Sequence, residues 1–315
     1  MSAPIPERPS LAPRNWPGWL VVAVLWFLGR LPRVVGRALV APLGPLMYAL
    51  MGSRRRVARR NLEACFPTWT EAEQTIVLRR SFDSMARMLV EMAWCWSGPR
   101  DDLEAITDVH GLQHLQEALA QGRGVLLVTG HFSCLEVAGP AKMRHFTTNA
   151  VYRVLRNEVI EWYQNRGRAS YMNCMYSKND LRGVARALRR GEVVWYAPDQ
   201  DFGPRESLFV PLFGIPTATL LATQRLPVLS GCRVITFLTH YVRETGRYAM
   251  EFSAPLEDFP SDDPQHDLAR INAALEAQVR KAPDQYWWVH RRFKTRPEGE
   301  PPFYGAESRR RSAPA

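Results

Sequence analysis

Hydrophobic and polar positions divide the chain into parts of different character. Residues 16–29 are uncharged and rich in aromatic side chains, and 31–52 continue apolar except for Arg33 and Arg37. Residues 70–97 set Ile76, Leu78, Phe82, Met85, Met88 and Leu89 near helical spacing, which predicts an amphipathic helix with these residues in a core. From about residue 103 short apolar runs alternate with amphipathic stretches, the signature of one α/β domain. There the pattern predicts helices at 112–121, 157–166, 181–190, 219–230 and 266–280. It predicts strands at 125–128, 150–153, 192–197, 234–238 and 248–252.

The run Val125-Leu126-Leu127-Val128 is continuously apolar between glycines, so it reads as a strand buried on both faces of a sheet. Gly130 follows as a tight turn, and Ser133 with Glu136 has the spacing of a capping box, predicting a helix from about Cys134. His131 then lies at a strand-to-helix corner, where open α/β sheets leave a ligand crevice. Two readings compete here. In one, Glu136 only caps its helix and His131 only fills a turn. In the other, His131 precedes the first helical turn, the Glu136 carboxylate reaches back to one imidazole nitrogen, and the other nitrogen acts as a general base.

The N-terminal pattern changes this picture by adding a membrane. Residues 1–15 are proline-rich and expected to be flexible. The run 16–29 is short for a span of about 20 residues, and Pro32, Pro42 and Pro45 interrupt the apolar stretch after it. Residues 16–52 are therefore expected to anchor the chain as one tilted span or as an interfacial hairpin. A secretory signal fits less well, because the run passes straight into arginines without a small-residue cleavage site. Arg54, Arg55, Arg56, Arg59 and Arg60 come next with no acid before Glu63, which points this side to the cytoplasm and to anionic lipid.

Composition narrows the remaining possibilities. With 315 residues, 46% of them hydrophobic, the chain can bury one large core or two modest ones. Its five cysteines are scattered without paired metal spacing, which favours reduced thiols and argues against structural zinc. The net charge of +10 comes mostly from arginine, a residue suited to bidentate contact with phosphates and carboxylates.

Four ordered blocks then carry a resemblance. They are Thr129-Gly130-His131-Phe132 with Glu136, Asn165-Arg166-Gly167-Arg168, the run from Val194 through Asp199-Gln200-Asp201 to Pro204, and the run from His290 to Pro297. Together they resemble the late acyltransferases of lipid A biosynthesis, the lauroyltransferase type, over nearly the whole chain. The resemblance implies an α/β fold with a mixed central sheet flanked by helices, like that of glycerolipid acyltransferases, with an N-terminal membrane-anchoring helical segment. It also implies an inner-membrane enzyme, catalytic on the cytoplasmic side, that moves a lauroyl or similar chain from acyl carrier protein to a hydroxyl of a Kdo-bearing lipid IVA precursor. The partners are then acyl carrier protein, the lipid A precursor and membrane lipid, without nucleic acid, and acyl carrier protein is a co-substrate with no further cofactor or metal.

Under this resemblance His131 is the base, Glu136 orients it, and Arg168 and Asp199 match required positions. Arg168 binds phosphate or the developing oxyanion, or else ends a helix whose dipole favours a cation. Asp199 orients that arginine, or is an ordinary turn acid. Tyr152 and Arg153 are similar to an arginine-bearing motif of glycerolipid acyltransferases and are expected, with Asp201, to contact substrate. Arg291, Arg292, Lys294 and Arg296 form either a carrier-protein or headgroup contact or a solvated basic end.

Three alternatives stay open at this point. Cys134, close to His131, invites a covalent acyl-enzyme in place of direct transfer. Asp199-Gln200-Asp201 after an apolar strand mimics the metal site of a glycosyltransferase. A basic membrane scaffold that recruits acyl carrier protein without catalysis is the third. The expected divisions are a flexible 1–15, an apolar anchor 16–52, a helical region with the basic cluster at 53–102, a catalytic α/β domain 103–297 and a disordered tail 298–315.

Overall fold

Every side chain of Val125–Val128 is buried, so this segment needs hydrogen-bonding neighbours on both edges and packed layers on both faces, and the sheet grows outward from it. The computed structural model describes residues 6–98, 101–141 and 145–305. Residues 1–5 of the expected flexible N-terminus and 306–315 of the expected disordered tail lie outside the described residues. The strands are β1 (Thr107–His110), β2 (Val125–Val128), β3 (Asn149–Tyr152), β4 (Cys174–Ser177), β5 (Val193–Tyr196), β6 (Ser207–Leu212), β7 (Ile215–Leu220), β8 (Arg233–Val242) and β9 (Arg247–Phe252). The helices are α1 (Trp16–Leu28), α2 (Arg33–Val40), α3 (Leu43–Leu50), α4 (Gly52–Cys65), α5 (Glu71–Ser97), α6 (Asp101–Ala105), α7 (Leu112–Ala120), α8 (Ala138–Ala141), α9 (Glu158–Arg168), α10 (Leu181–Arg189), α11 (Ala222–Ser230) and α12 (Pro264–Lys281).

Seven strands form one sheet in the order β1-β9-β8-β2-β5-β3-β4, with β6 and β7 as a separate antiparallel pair. β2 is parallel to both β5 and β8, whereas β8 and β9 are antiparallel. The sheet is therefore mixed, as expected. Sequence patterning misses β1, β4 and the β6–β7 pair, and reads the start of a helix at residue 219 where β7 is still running. The short strands carry too few residues for a period to register, and the Thr217-Ala218-Thr219 run of β7 satisfies helical and extended patterns alike.

Helix α5 begins as its sequence predicts. The Thr70 side chain accepts from the Glu73 backbone amide, and the Glu73 carboxylate accepts from the Thr70 amide at 2.7 Å, which closes a capping box. Leu78, Phe82 and Met85 are buried and Met88 and Leu89 half-buried, but Ile76 is exposed. Ile76 lies two positions, or about 200° of helix, from Leu78, so it falls off the buried stripe.

Residues 16–52 are part of the fold itself. Val22 and Leu25 of α1 and Val40 of α2 share a core with Val90 and Trp94 of α5 and with Val159 and Trp162 of α9. Their outward side chains, among them Leu20, Val24, Phe27, Val34, Leu39 and Leu50, are exposed. Among the described residues no single helix is long and apolar enough to cross a membrane. The stretch Arg33–Leu50 with Gly52–Cys65 meets the length and composition only as a pair bent by 86°.

The expected disorder after residue 297 does not hold for 298–305. Tyr304 is buried, and its hydroxyl donates to Asn61 Oδ1 at 2.6 Å and accepts from the Phe293 amide at 3.2 Å. All five cysteines are buried free thiols.

Gly124 leads into β2 beside the last turn of α10. A Cβ there would stand 2.1 Å from the Leu188 carbonyl oxygen, so helix and strand would have to separate. Gly124→Ala is expected to lower stability by about 1–3 kcal/mol, read as an earlier urea unfolding midpoint. An unmoved midpoint would show that this approach is not constraining.

Candidate active site

β2 and β5 run parallel with Val128 opposite Tyr196. Continuing that register three residues past each strand end sets His131 opposite Asp199, at the carboxyl edge of the sheet where side chains turn into a crevice. The Thr129 amide donates to the Tyr196 carbonyl at 3.1 Å and carries the pairing one step beyond the strands. Asp199 Oδ2 then accepts from the His131 backbone amide at 2.8 Å, and Oδ1 lies 2.5 Å from His131 Nδ1. One carboxylate thus holds both the backbone and the ring of the same histidine.

Asp199 is buried, yet its carboxyl is held at about 2. Burial alone would raise it, and the adjoining His131 ring and amide, with the Arg292 charge, overcome that. As an ionised carboxylate it can only accept, so Nδ1 carries the imidazole proton and Nε2 is the basic nitrogen. Burial disfavours the imidazolium, but Asp199 outweighs it and lifts the His131 pKa above its ordinary value. The His131 side chain is 33% exposed, enough for a substrate to approach.

Glu136 does not orient His131. Its Oε2 accepts from Trp96 Nε1 at 2.9 Å, Tyr171 OH at 2.9 Å and Arg168 Nε at 3.3 Å, while Oε1 is paired with Arg168 Nη2. The two acids have exchanged the roles expected of them, since Asp199 serves the histidine and Glu136 serves the arginine. The capping box that would have turned Glu136 back also fails to form. Among the described residues Ser133 Oγ has no partner, the Ser133 amide donates to the Gln285 carbonyl at 2.8 Å, and the chain makes a 3-10 turn over Leu135–Val137 before α8. A buried carboxylate is stabilised most where several donors converge, here Trp96 from the last turn of α5, Arg168 at the end of α9 and Tyr171 just after it. Burial opposes the Glu136 charge, but Arg168, Trp96 and Tyr171 hold its pKa low.

The remaining predicted residues spread around this centre. Tyr152 ends β3 half-buried, its hydroxyl pKa raised by burial and by Glu161, and Arg153 is exposed on the loop after the strand. Asp201 accepts from the Thr295 amide at 2.7 Å, from Thr295 Oγ1 at 2.8 Å and from the Gly203 amide at 3.0 Å. It pins the C-terminal segment, and since Asp199 is committed to His131, the two carboxylates do not act as a joint acid-x-acid site. Cys134 is fully buried, donates to the Thr239 carbonyl at 3.1 Å, and has its thiol pKa raised by burial. Such a thiol does not supply a nucleophilic thiolate.

Sequence reasoning missed the share taken by residues 285–293. Trp287 donates to the His131 carbonyl at 2.9 Å, Phe132 pairs with Tyr286 as an isolated bridge, and Arg292 is buried, not part of a solvated basic end. A signal was present in the aromatic run Tyr286-Trp287-Trp288, too apolar for an exposed tail. These residues join Cys65, Leu212, Phe213, Leu275 and Val279 around a largely apolar cleft that His131 and Asp199 also line.

A histidine held by an acid at the carboxyl edge of an α/β sheet, opening on an apolar cleft, has the geometry that a general base for an apolar substrate needs. Residues 5–295 match the family model described as bacterial lipid A biosynthesis acyltransferase, and the chain belongs to that family. It is therefore an acyltransferase. It is 39% identical over 295 residues to the lipid A biosynthesis lauroyltransferase of Escherichia coli K12, covering 93% of this chain and 96% of that protein. The palmitoleoyltransferase of the same organism is 37% identical over 95% and 97%, and its myristoyltransferase 28% over 91% and 90%. A solved 1-acyl-sn-glycerophosphate acyltransferase from Thermotoga maritima overlaps 81% of this chain at 12% identity and a TM-score of 0.37, too loosely for any residue to be carried across.

The exchanged acids give separable outcomes. A general base works unprotonated, so transfer is expected to rise with pH through a midpoint above 6.5, because the His131 pKa is raised. Asp199→Asn should move that midpoint down and lower the plateau on the order of 10²-fold. Glu136→Gln should leave the midpoint unmoved and cost about 3–5 kcal/mol of stability by stranding Arg168. A midpoint that tracks Glu136 instead of Asp199 would reverse the assignment.

Proposed function

We propose that this acyltransferase moves a lauroyl or similar chain from acyl-acyl carrier protein to a hydroxyl of a Kdo-bearing lipid IVA precursor, by direct transfer at the cytoplasmic face of the inner membrane. The observation that carries this reading is the Asp199-tethered His131 on the wall of a cleft lined by Leu212, Phe213, Leu275 and Val279. His131 Nε2 takes the proton from the acceptor hydroxyl as its oxygen attacks the thioester carbonyl. The new C–O bond forms, the C–S bond breaks, and the departing thiolate recovers the proton from His131. No protein nucleophile is required, in keeping with the buried Cys134. Arg168, neutralised by Glu136, holds the end of α9 against α5 in this scheme and does not meet the oxyanion.

The relatives are named for lauroyl, palmitoleoyl and myristoyl groups, so a common site serves chains of different length, and the depth of the apolar cleft sets the choice. Membrane association rests on the exposed side chains of α1, α2 and α3, which form an apolar face of the sort proteins seldom leave in water. The exposed Arg54, Arg56 and Arg60 on α4 suit anionic headgroups beside that face. The anchor in this reading lies in the interface and is continuous with the catalytic domain.

Purified membranes given acyl carrier protein thioesters of graded length and the Kdo-bearing acceptor should yield one added acyl group by mass spectrometry, with a preferred chain length. His131→Ala should reduce transfer by about 10²–10⁴-fold, and Cys134→Ala should leave it within a few-fold. Near-complete loss in a folded Cys134→Ala protein would replace direct transfer with an acyl-enzyme.

For the membrane face, flotation with anionic vesicles should lose at least about tenfold in binding when Leu20, Val24 and Phe27 are together changed to Ser, each apolar side chain contributing on the order of 1 kcal/mol. Unchanged flotation would remove α1 from the binding surface.

A further inference from the structure

Direct transfer leaves one charge without an assigned partner. When the hydroxyl oxygen attacks, the electron pair of the carbonyl π bond moves onto the carbonyl oxygen, and that oxyanion needs donors already in position before the C=O bond reforms and the C–S bond breaks. Arg168 is spent on Glu136, so it does not answer that need. The C-terminal segment brings two other groups to the same cleft.

The first is His290. Its Nε2 accepts a hydrogen bond from the Asp201 backbone amide at 3.1 Å. An imidazole nitrogen that accepts carries no proton, so in the neutral ring the hydrogen is on Nδ1, which has no hydrogen-bond partner among the described residues. Asp201 is in turn held by the Thr295 amide and hydroxyl, so the loop that fixes this tautomer is itself fixed. Burial, with the Arg292 and His131 charges nearby, lowers the His290 pKa to about 4 against the opposing pull of Asp199 and Asp201. The ring therefore remains a neutral donor at the pH where His131 must be an acceptor.

The second is Arg292, only 3% exposed. Its Nη1 donates to the Ala218 carbonyl at 2.7 Å and its Nη2 to Thr219 Oγ1 at 3.4 Å, while Nε is buried with no partner among the described residues. Among the described residues no carboxylate lies within ion-pairing distance, so a buried cation lines the cleft with its charge balanced only at longer range by Asp199 and Asp201. A buried charge left in this state is costly unless something anionic arrives.

We propose that His290 donates its Nδ1–H to the acyl carbonyl oxygen as negative charge develops there, with the Arg292 guanidinium supplying the positive field behind it. This rests on the general-base reading of His131, and it divides the site into two arms. The carboxyl ends of β2 and β5 handle the proton, and the segment after α12 handles the oxyanion.

The test uses the full-length protein in membranes with a fixed acyl carrier protein thioester. His290→Ala is expected to lower kcat by about 10²–10³-fold, the loss typical of one oxyanion donor, with KM for the thioester changed less than threefold and the pH midpoint set by His131 unmoved. His290→Gln, which keeps an N–H donor, should recover part of kcat. In protein labelled with ¹⁵N at histidine, His290 should show the Nδ1–H tautomer and remain neutral down to pH 5. A kcat within threefold of wild type in His290→Ala, a loss that tracks only the folded fraction, or an Nε2–H tautomer would each overturn the proposal. His131→Ala is measured alongside. If that variant retains transfer, the general-base reading has failed, and the His290 tautomer and kcat results still decide the donor role by themselves.

Discussion

A single carboxylate, Asp199, holds the site together. One oxygen takes the backbone amide of His131 and the other the Nδ1 of its ring, so the position of the chain, the tautomer and the orientation of the base are set by one group. That is possible only because β2 and β5 are parallel neighbours whose ends lie level. A shift of one residue in that pairing would turn Asp199 to the opposite face of the sheet. Burial of all four β2 side chains makes such a shift costly, and the hydrophobic effect in the central strand thereby becomes geometric accuracy at the catalytic edge.

Around this pair the structure separates its charges. Glu136 and Arg168 neutralise one another beneath α5 and α9, where Trp96 and Tyr171 complete the carboxylate's hydrogen bonds. The hydrogen bonds of this knot are completed within the protein, and its place at the junction of three elements suits it to holding them. Asp199 and His131 keep an unfinished valence, since Nε2 has no protein partner among the described residues. A completed ion pair at Glu136 and an incomplete one at Asp199 distinguish the two acids.

The N-terminal helices show how one stretch of chain can supply part of a core and still leave apolar side chains exposed. α1 and α2 pack one face against α5 and α9 and leave the other exposed. The aromatic segment after α12 lines the cleft and brings His290 and Arg292 to it.

Much of this was legible in the residues taken alone. The buried strand at 125–128, the corner at His131, the α5 helix and the α/β class arise from local periodicity and turn chemistry, which are short-range properties of the chain. The same short-range logic paired His131 with Glu136, five residues away, and that failed because a partner 68 residues distant reached the ring first. Which acid meets which base depends on strand order, and strand order is settled by the packing of the whole sheet, where no local pattern reports it. Arg292 makes the same point, since in sequence it is one more cation in a basic run, and only the fold of the segment after α12 takes it out of water and turns it toward the cleft.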